Sequence, residues 1–118
     1  MELNLHFYEL DGYLKISVED INEVYGNKKM LEFWLTDDVA GYDMMLENID
    51  KAIAGNHEYR EMLGNLCRVI IEPDYTEIHC LFEEEVSDLK PCKLPTKLLR
   101  EIVAVWLEEF EKYRNSKK

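Results

Sequence analysis

Three histidines, three cysteines, three serines and several runs of carboxylates are the residues whose types and spacing could do chemistry. His57-Glu58-Tyr59-Arg60-Glu61 resembles a His-Glu-x-x-His zinc helix in its first two positions. The second ligand position holds Glu61, however, and the only later histidine is His79 on a predicted strand, so no metal is expected. His6 and His79 titrate near neutrality as a type and could serve as acid or base in a small hydrolase. They fall on the non-core faces of two different predicted hairpins, and Ser17, Ser87 and Ser116 stand in no motif that would make a nucleophile. The five glycines are scattered at turns and helix ends and form no phosphate loop. No catalytic residue and no cofactor is therefore assigned.

Cys67, Cys80 and Cys92 are odd in number and contain no Cys-x-x-Cys pair, which is neither a disulfide framework nor a zinc signature. Reduced thiols suit the cytoplasm. If the chain turns tightly at residues 73–74, Cys67 and Cys80 stand opposite one another, either close enough to pair or simply as small inward thiols of a reduced core.

The carboxylates carry more information. Residues 1–111 hold all 25 acids and only 10 of the 14 lysines and arginines, a balance of −15, and the last seven residues return +4. A field of that sign repels phosphate backbones and speeds encounter with a basic partner. Three clusters stand out: Asp37, Asp38 and Asp43; Glu83, Glu84, Glu85 and Asp88; and Glu19, Asp20 and Glu23. Each alone reads as a solvated cap or loop. Together with Tyr8, Tyr13, Tyr25 and Trp34 as exposed aromatics, they suggest a binding surface with aromatic anchors inside a charged rim.

The elements that must position these groups follow from periodicity. Leu5, Phe7, Leu14, Ile16 and Val18 share one face of a hairpin turning at Asp11-Gly12, with Leu10 facing Tyr13 and His6 facing Ser17. Residues 30–36 alternate as a third strand, with Leu31, Phe33 and Leu35 on one face and Met30, Glu32 and Trp34 on the other, so that it is either central in the sheet or presents Trp34 at a surface. Thr36 or Asp37 caps a helix over about 38–54, built on Tyr42, Met45, Leu46, Ile49, Ala52 and Ile53 and stopped at Gly55-Asn56. Residues 57–63 either extend that helix or form a strand. Strands at 66–72 and 75–82 follow, with Val69, Ile71, Ile78, Cys80 and Phe82 inward and a longer loop or bulge expected at Pro73. Residues 83–93 read as an acidic surface loop. Thr96 caps a last helix over 96–113 whose stripe is Leu99, Ile102, Val103, Trp106, Phe110 and Tyr113, followed by a frayed basic tail over about 114–118.

The expected fold is α+β: a single domain over 1–118 with a mainly antiparallel sheet of five to six strands in βββα-(β)ββα order and two helices on one face. No apolar run reaches the ~18–20 residues of a membrane span. The start, MELNLHFYEL, lacks the pattern of a signal peptide. A cytoplasmic protein is expected.

Over residues 57–113, a strand opens near Gly64-Asn65, a Val/Ile-rich hairpin runs through Tyr75-Thr76-Glu77-Ile78, and an acidic loop follows. Leu94-Pro95-Thr96 then opens a helix containing Trp106. This arrangement resembles the small acidic bacterial immunity proteins of contact-dependent growth inhibition and related polymorphic-toxin systems, and is similar to the YacL-like proteins. The resemblance implies a non-enzyme that binds the C-terminal domain of a cognate toxin, commonly a nuclease, and covers its active site or substrate surface, as a monomer or homodimer. It transfers no residue roles. The alternative is a general acidic interaction or scaffold domain, dimerising through the Trp34 face of the third strand.

Overall fold

The structure, a computed structural model, describes residues 3–40, 42, 44–82 and 90–117. Its first element is the hairpin expected from the alternation. Strand β1 (His6–Leu10) pairs antiparallel with β2 (Tyr13–Ser17), with Leu10 opposite Tyr13, Phe7 opposite Ile16 and His6 opposite Ser17. Both turn residues are left-handed, Asp11 at φ 53° and Gly12 at φ 83°. That is the conformation a two-residue type I′ turn demands and the reason Asp-Gly is selected there.

The next segment departs from expectation. Instead of a third strand at 30–36, the chain forms a two-residue strand β3 (Tyr25–Gly26), helix α1 (Lys28–Trp34) and a π-helical turn over Leu35–Val39. Met30, Leu31, Trp34, Leu35 and Val39 are all buried. Their spacing of one, three, one and four residues is a helical stripe, which outweighs the shorter alternation of Leu31, Phe33 and Leu35. Helix α1 is capped by Asn27, whose side chain accepts the Lys29 N–H at 3.0 Å. Thr36 and Asp37, expected to cap the helix after it, lie inside the π-helical turn, and that later helix starts after Met44 with no side-chain cap. The following helix is correspondingly shorter: α2 spans Met45–Ile53.

A single 3₁₀ turn (His57–Tyr59) leads into β4 (Glu61–Leu63), so the ambiguous segment resolves as a strand. Strands β5 (Cys67–Ile71), β6 (Tyr75–Cys80) and β7 (Cys92–Pro95) complete a five-stranded antiparallel sheet in the order β3-β7-β6-β5-β4. The Pro73-Asp74 connection is tight and unbulged: Glu72 N–H donates to Tyr75 O at 3.0 Å, and the register holds from Ile71 opposite Thr76 to Cys67 opposite Cys80. Phe82 lies beyond the strand and is exposed rather than in the core.

Helix α3 (Thr96–Ser116) closes the fold. It begins directly at the end of β7, so Thr96 is a helical residue and not the cap. The helix runs through Ser116, past the point where a frayed tail was expected. Cys67, Val69 and Ile71 of β5, Thr76, Ile78 and Cys80 of β6, and Cys92 and Leu94 of β7 are buried on one sheet face. The three helices pack against that face. The hairpin forms a separate two-stranded sheet laid over the C-terminal half of α3, where Phe7 stacks on Trp106 with ring centroids 6.3 Å apart. The observed class is α+β with seven strands and three α-helices among the described residues, more segmented than the two-helix arrangement expected. No helix among them is long and apolar enough to cross a membrane.

Candidate interaction surface

The hairpin positions the largest group of exposed apolar side chains close together. Because strand side chains alternate, Phe7, Leu14 and Ile16 turn toward the body, and His6, Tyr8, Leu10, Tyr13, Lys15 and Ser17 turn outward. Tyr8 is 48%, Leu10 53% and Tyr13 68% exposed. Tyr8 sits across from Lys15 and Leu10 across from Tyr13, so the two tyrosines and the leucine form one patch. At its far end His6 Nε2 lies 2.7 Å from Asp20 Oδ2.

Two clefts run where β2 meets the body. One, of about 310 Å³, is lined by Tyr8, Leu10, Lys15, Glu32 and Asp37 among others. The second, of about 670 Å³, lies between Tyr13, Leu14 and Lys15 of the hairpin, Asp37 and Ala40 after α1, and Phe110, Tyr113 and Arg114 of α3. Lys15, Thr36 and Asp37 line both. Burial raises the Asp37 carboxyl above its usual range; the Lys15 charge opposes that shift and the Asp38 charge adds to it. The floor of the larger cleft is fixed by three ties between hairpin and helix. Besides the Phe7–Trp106 stack, Tyr113 Oη donates to Gly12 O at 3.0 Å, and Lys117 Nζ lies 3.2 Å from Glu9 Oε1.

Of the residues singled out from the sequence, the structure thus brings Tyr8, Tyr13 and Asp37 together. Asp20 joins them through His6, while Glu19 and Glu23 are exposed on the connection that follows β2. Tyr25 is 59% exposed but stands on the edge strand β3, part of the other sheet. One assignment is overturned. Trp34 is 2% exposed, packed inward by α1, so it anchors the core and offers no face for a partner or a second copy. Asp38 is half-buried and structural: its Oδ1 accepts the Leu66 N–H at 3.4 Å, holding the turn between β4 and β5. Asp43, Glu83, Glu84, Glu85 and Asp88 lie outside the described residues.

Lys15, Phe110, Tyr113 and Arg114 were not singled out. Phe110 and Tyr113 belong to the apolar stripe of the last helix and also line the cleft. Only the docking of the hairpin across the end of that helix turns them into cleft walls, and periodicity carries no signal of such a contact.

The groups weighed for catalysis are dispersed. His6 is on the hairpin, His57 in the 3₁₀ turn and His79 on the uncovered face of the large sheet beside Arg68. No group of three or more His, Cys, Asp or Glu able to hold a metal ion converges among the described residues. Cys67 and Cys80 do face one another, in a register where Leu81 N–H donates to Leu66 O at 2.9 Å, and both are free thiols. Burial, together with the Asp38 carboxylate beside it, pushes the Cys67 thiol well up, and burial pushes Cys92 up to about 12. Such thiols are inert as nucleophiles. Compared with protein-family models, with curated proteins and with solved structures, the chain matches none of them.

Proposed function

We propose that this chain is a protein-binding module of the immunity type, which neutralises a toxin domain by covering its active site or substrate surface. We further propose that the toxin is a basic nuclease met in the cytoplasm. The observation that carries this reading is the coincidence of charge and exposed aromatic surface. A chain with 25 acids against 14 bases presents Tyr8, Leu10 and Tyr13 side by side, with Asp11, Asp20 and Asp37 around them. The two features divide the work of binding. The acidic field attracts a surface built to hold phosphates and raises the rate of encounter. The tyrosines supply the desolvated contact area that holds the complex once formed. Acids seated in a nuclease cleft take the place of the phosphate backbone, so inhibition follows from occupancy and needs no chemistry.

The test is co-expression with the toxin encoded in the upstream neighbouring reading frame. A complex that survives purification and restores growth is expected, weakened about 10–100-fold by the double substitution Tyr8→Ala and Tyr13→Ala and weakened further as salt rises. The proposal fails if co-expression yields neither a complex nor protection.

A further inference from the structure

We propose that the larger cleft, between the hairpin and the C-terminal half of α3, binds a small organic anion with an apolar body. The first observation concerns charge. Acids outnumber bases 25 to 14 in the chain, yet among the described residues of this lining cations outnumber acids. Lys15 and Arg114 both line this cleft, and neither makes an ion pair within 4.0 Å among the described residues. Arg114 instead lies over the Phe110 ring, 6.0 Å from its centroid. Lys117, the third cation of the lining, is committed to Glu9.

The second observation concerns shape. At about 670 Å³ the cleft falls within the range of sites for drug-sized ligands. Leu14, Ala40 and Phe110 give it apolar walls, and Tyr13 and Tyr113 add ring faces with polar tips. An inorganic anion would leave those walls in water, and a neutral apolar molecule would leave Arg114 without a counter-charge, the Lys15 charge being met in part by Asp37. A ligand with one anionic group and an aromatic or aliphatic body satisfies both. Asp37 is the one acid among the described residues of the lining, and its charge works against such a ligand. An acidic polymer is disfavoured by the net charge of −11, whereas a monoanion of this size meets mainly the local pair of cations.

This inference is independent of the immunity reading, and its experiment needs no partner. The probe is 1-anilinonaphthalene-8-sulfonate, titrated by fluorescence into the full chain at neutral pH, with N-phenyl-1-naphthylamine as the uncharged analogue. Saturable 1:1 binding of the sulfonate is expected. It should weaken about tenfold in each of Lys15→Gln and Arg114→Gln, stay within about twofold in Lys97→Gln at the other end of α3, and strengthen in Asp37→Asn. The neutral analogue should bind about tenfold more weakly than the sulfonate, and millimolar inorganic phosphate should not displace the probe. Near-ultraviolet circular dichroism confirms that each variant is folded, and Asp37→Asn supplies a gain of binding that unfolding cannot mimic in 1:1 form. The proposal is overturned if binding is absent or non-saturable, if the Lys15 and Arg114 variants bind as the parent does, if the neutral analogue binds equally, or if phosphate displaces the probe.

Discussion

At the scale of single residues, the buried threonine pair where β6, the end of β7 and the start of α3 meet shows how little freedom a satisfied polar group has. Thr76 and Thr96 are both 0% exposed, and their hydroxyl oxygens lie 2.8 Å apart. Thr96 Oγ1 donates to Glu72 O at 2.5 Å. A hydroxyl has one proton, so Thr76 must be the donor between the two. The chain of bonds therefore runs from Thr76 to Thr96 to the Glu72 carbonyl, and the two ends are unequal. Thr96→Val leaves a buried donor and a buried carbonyl without partners and should cost about 2–3 kcal/mol. Thr76→Val leaves only an acceptor lone pair of Thr96 unused and should cost about 0.5–1.5 kcal/mol. The double variant should be less destabilised than the sum, because the orphaned Thr76 donor is gone. Urea unfolding of the three variants decides the matter, and equal costs for the two single changes would refute the assigned direction of the chain.

At the scale of elements, β3 is the most exposed to a single change. It has two residues, and Gly26 sits at φ 84° opposite Cys92 of β7. A Cβ there would meet Pro91 O at 2.6 Å. Gly26→Ala combines left-handed strain with a backbone clash, so it should destabilise by about 1–3 kcal/mol and speed hydrogen exchange at the β3–β7 edge before anywhere else. Unchanged stability would mean that the pairing is dispensable. This edge also shows what the sequence could and could not disclose. The hairpin was readable in full, because Asp11-Gly12 admits few turn types and both strands alternate cleanly. The β5 and β6 strands were readable as well, from the β-branched run and the Pro73-Asp74 break, but their register was not, because Pro73 argued for a longer loop where the chain turns tightly. Strand β7 was not, because Cys92–Pro95 offers only two inward residues, Cys92 and Leu94, between prolines that argue against a strand. Helix α1 was misjudged for the opposite reason: residues 30–35 satisfy both periods over so short a span, and only Val39, one turn further on, separates them. The candidate surface was legible in its exposed members, Tyr8, Tyr13 and Asp37. Its other wall came from α3, nearly a hundred residues away in the chain, and no local pattern encodes that meeting.

At the scale of the whole molecule, charge is organised as long-range ties set within an excess of acid. Glu9 is held below the usual carboxylate range by the Tyr113 hydroxyl and the Lys117 ammonium, joining the hairpin to the end of α3. Asp50 is lowered by the Arg100 guanidinium, whose Nε and Nη2 lie 2.5 and 3.1 Å from its two oxygens, joining α2 to α3. Glu61 is lowered by Arg68 across β4 and β5. A carboxyl whose folded value is depressed is protonated in the unfolded chain first as pH falls. The stability it contributes is therefore complete above the unfolded value, near 3.8 for Asp50, and is lost as pH falls through the lower folded value. Asp37 has the opposite sign. Burial raises it above 3.8, so its ionisation costs stability as pH rises through its folded value, and protonation returns that stability. These groups are largely exposed, which limits each tie through screening, so the slope against pH is the quantity to measure and not an absolute stability. Between pH 6 and 3, Asp50→Asn should flatten the loss of stability on acidification, and Asp37→Asn should make it steeper by removing a group that opposes it. Denaturant midpoints at closely spaced pH values test both variants together. If the two shift the slope in the same direction, the opposed environments assigned to Asp37 and Asp50 are wrong.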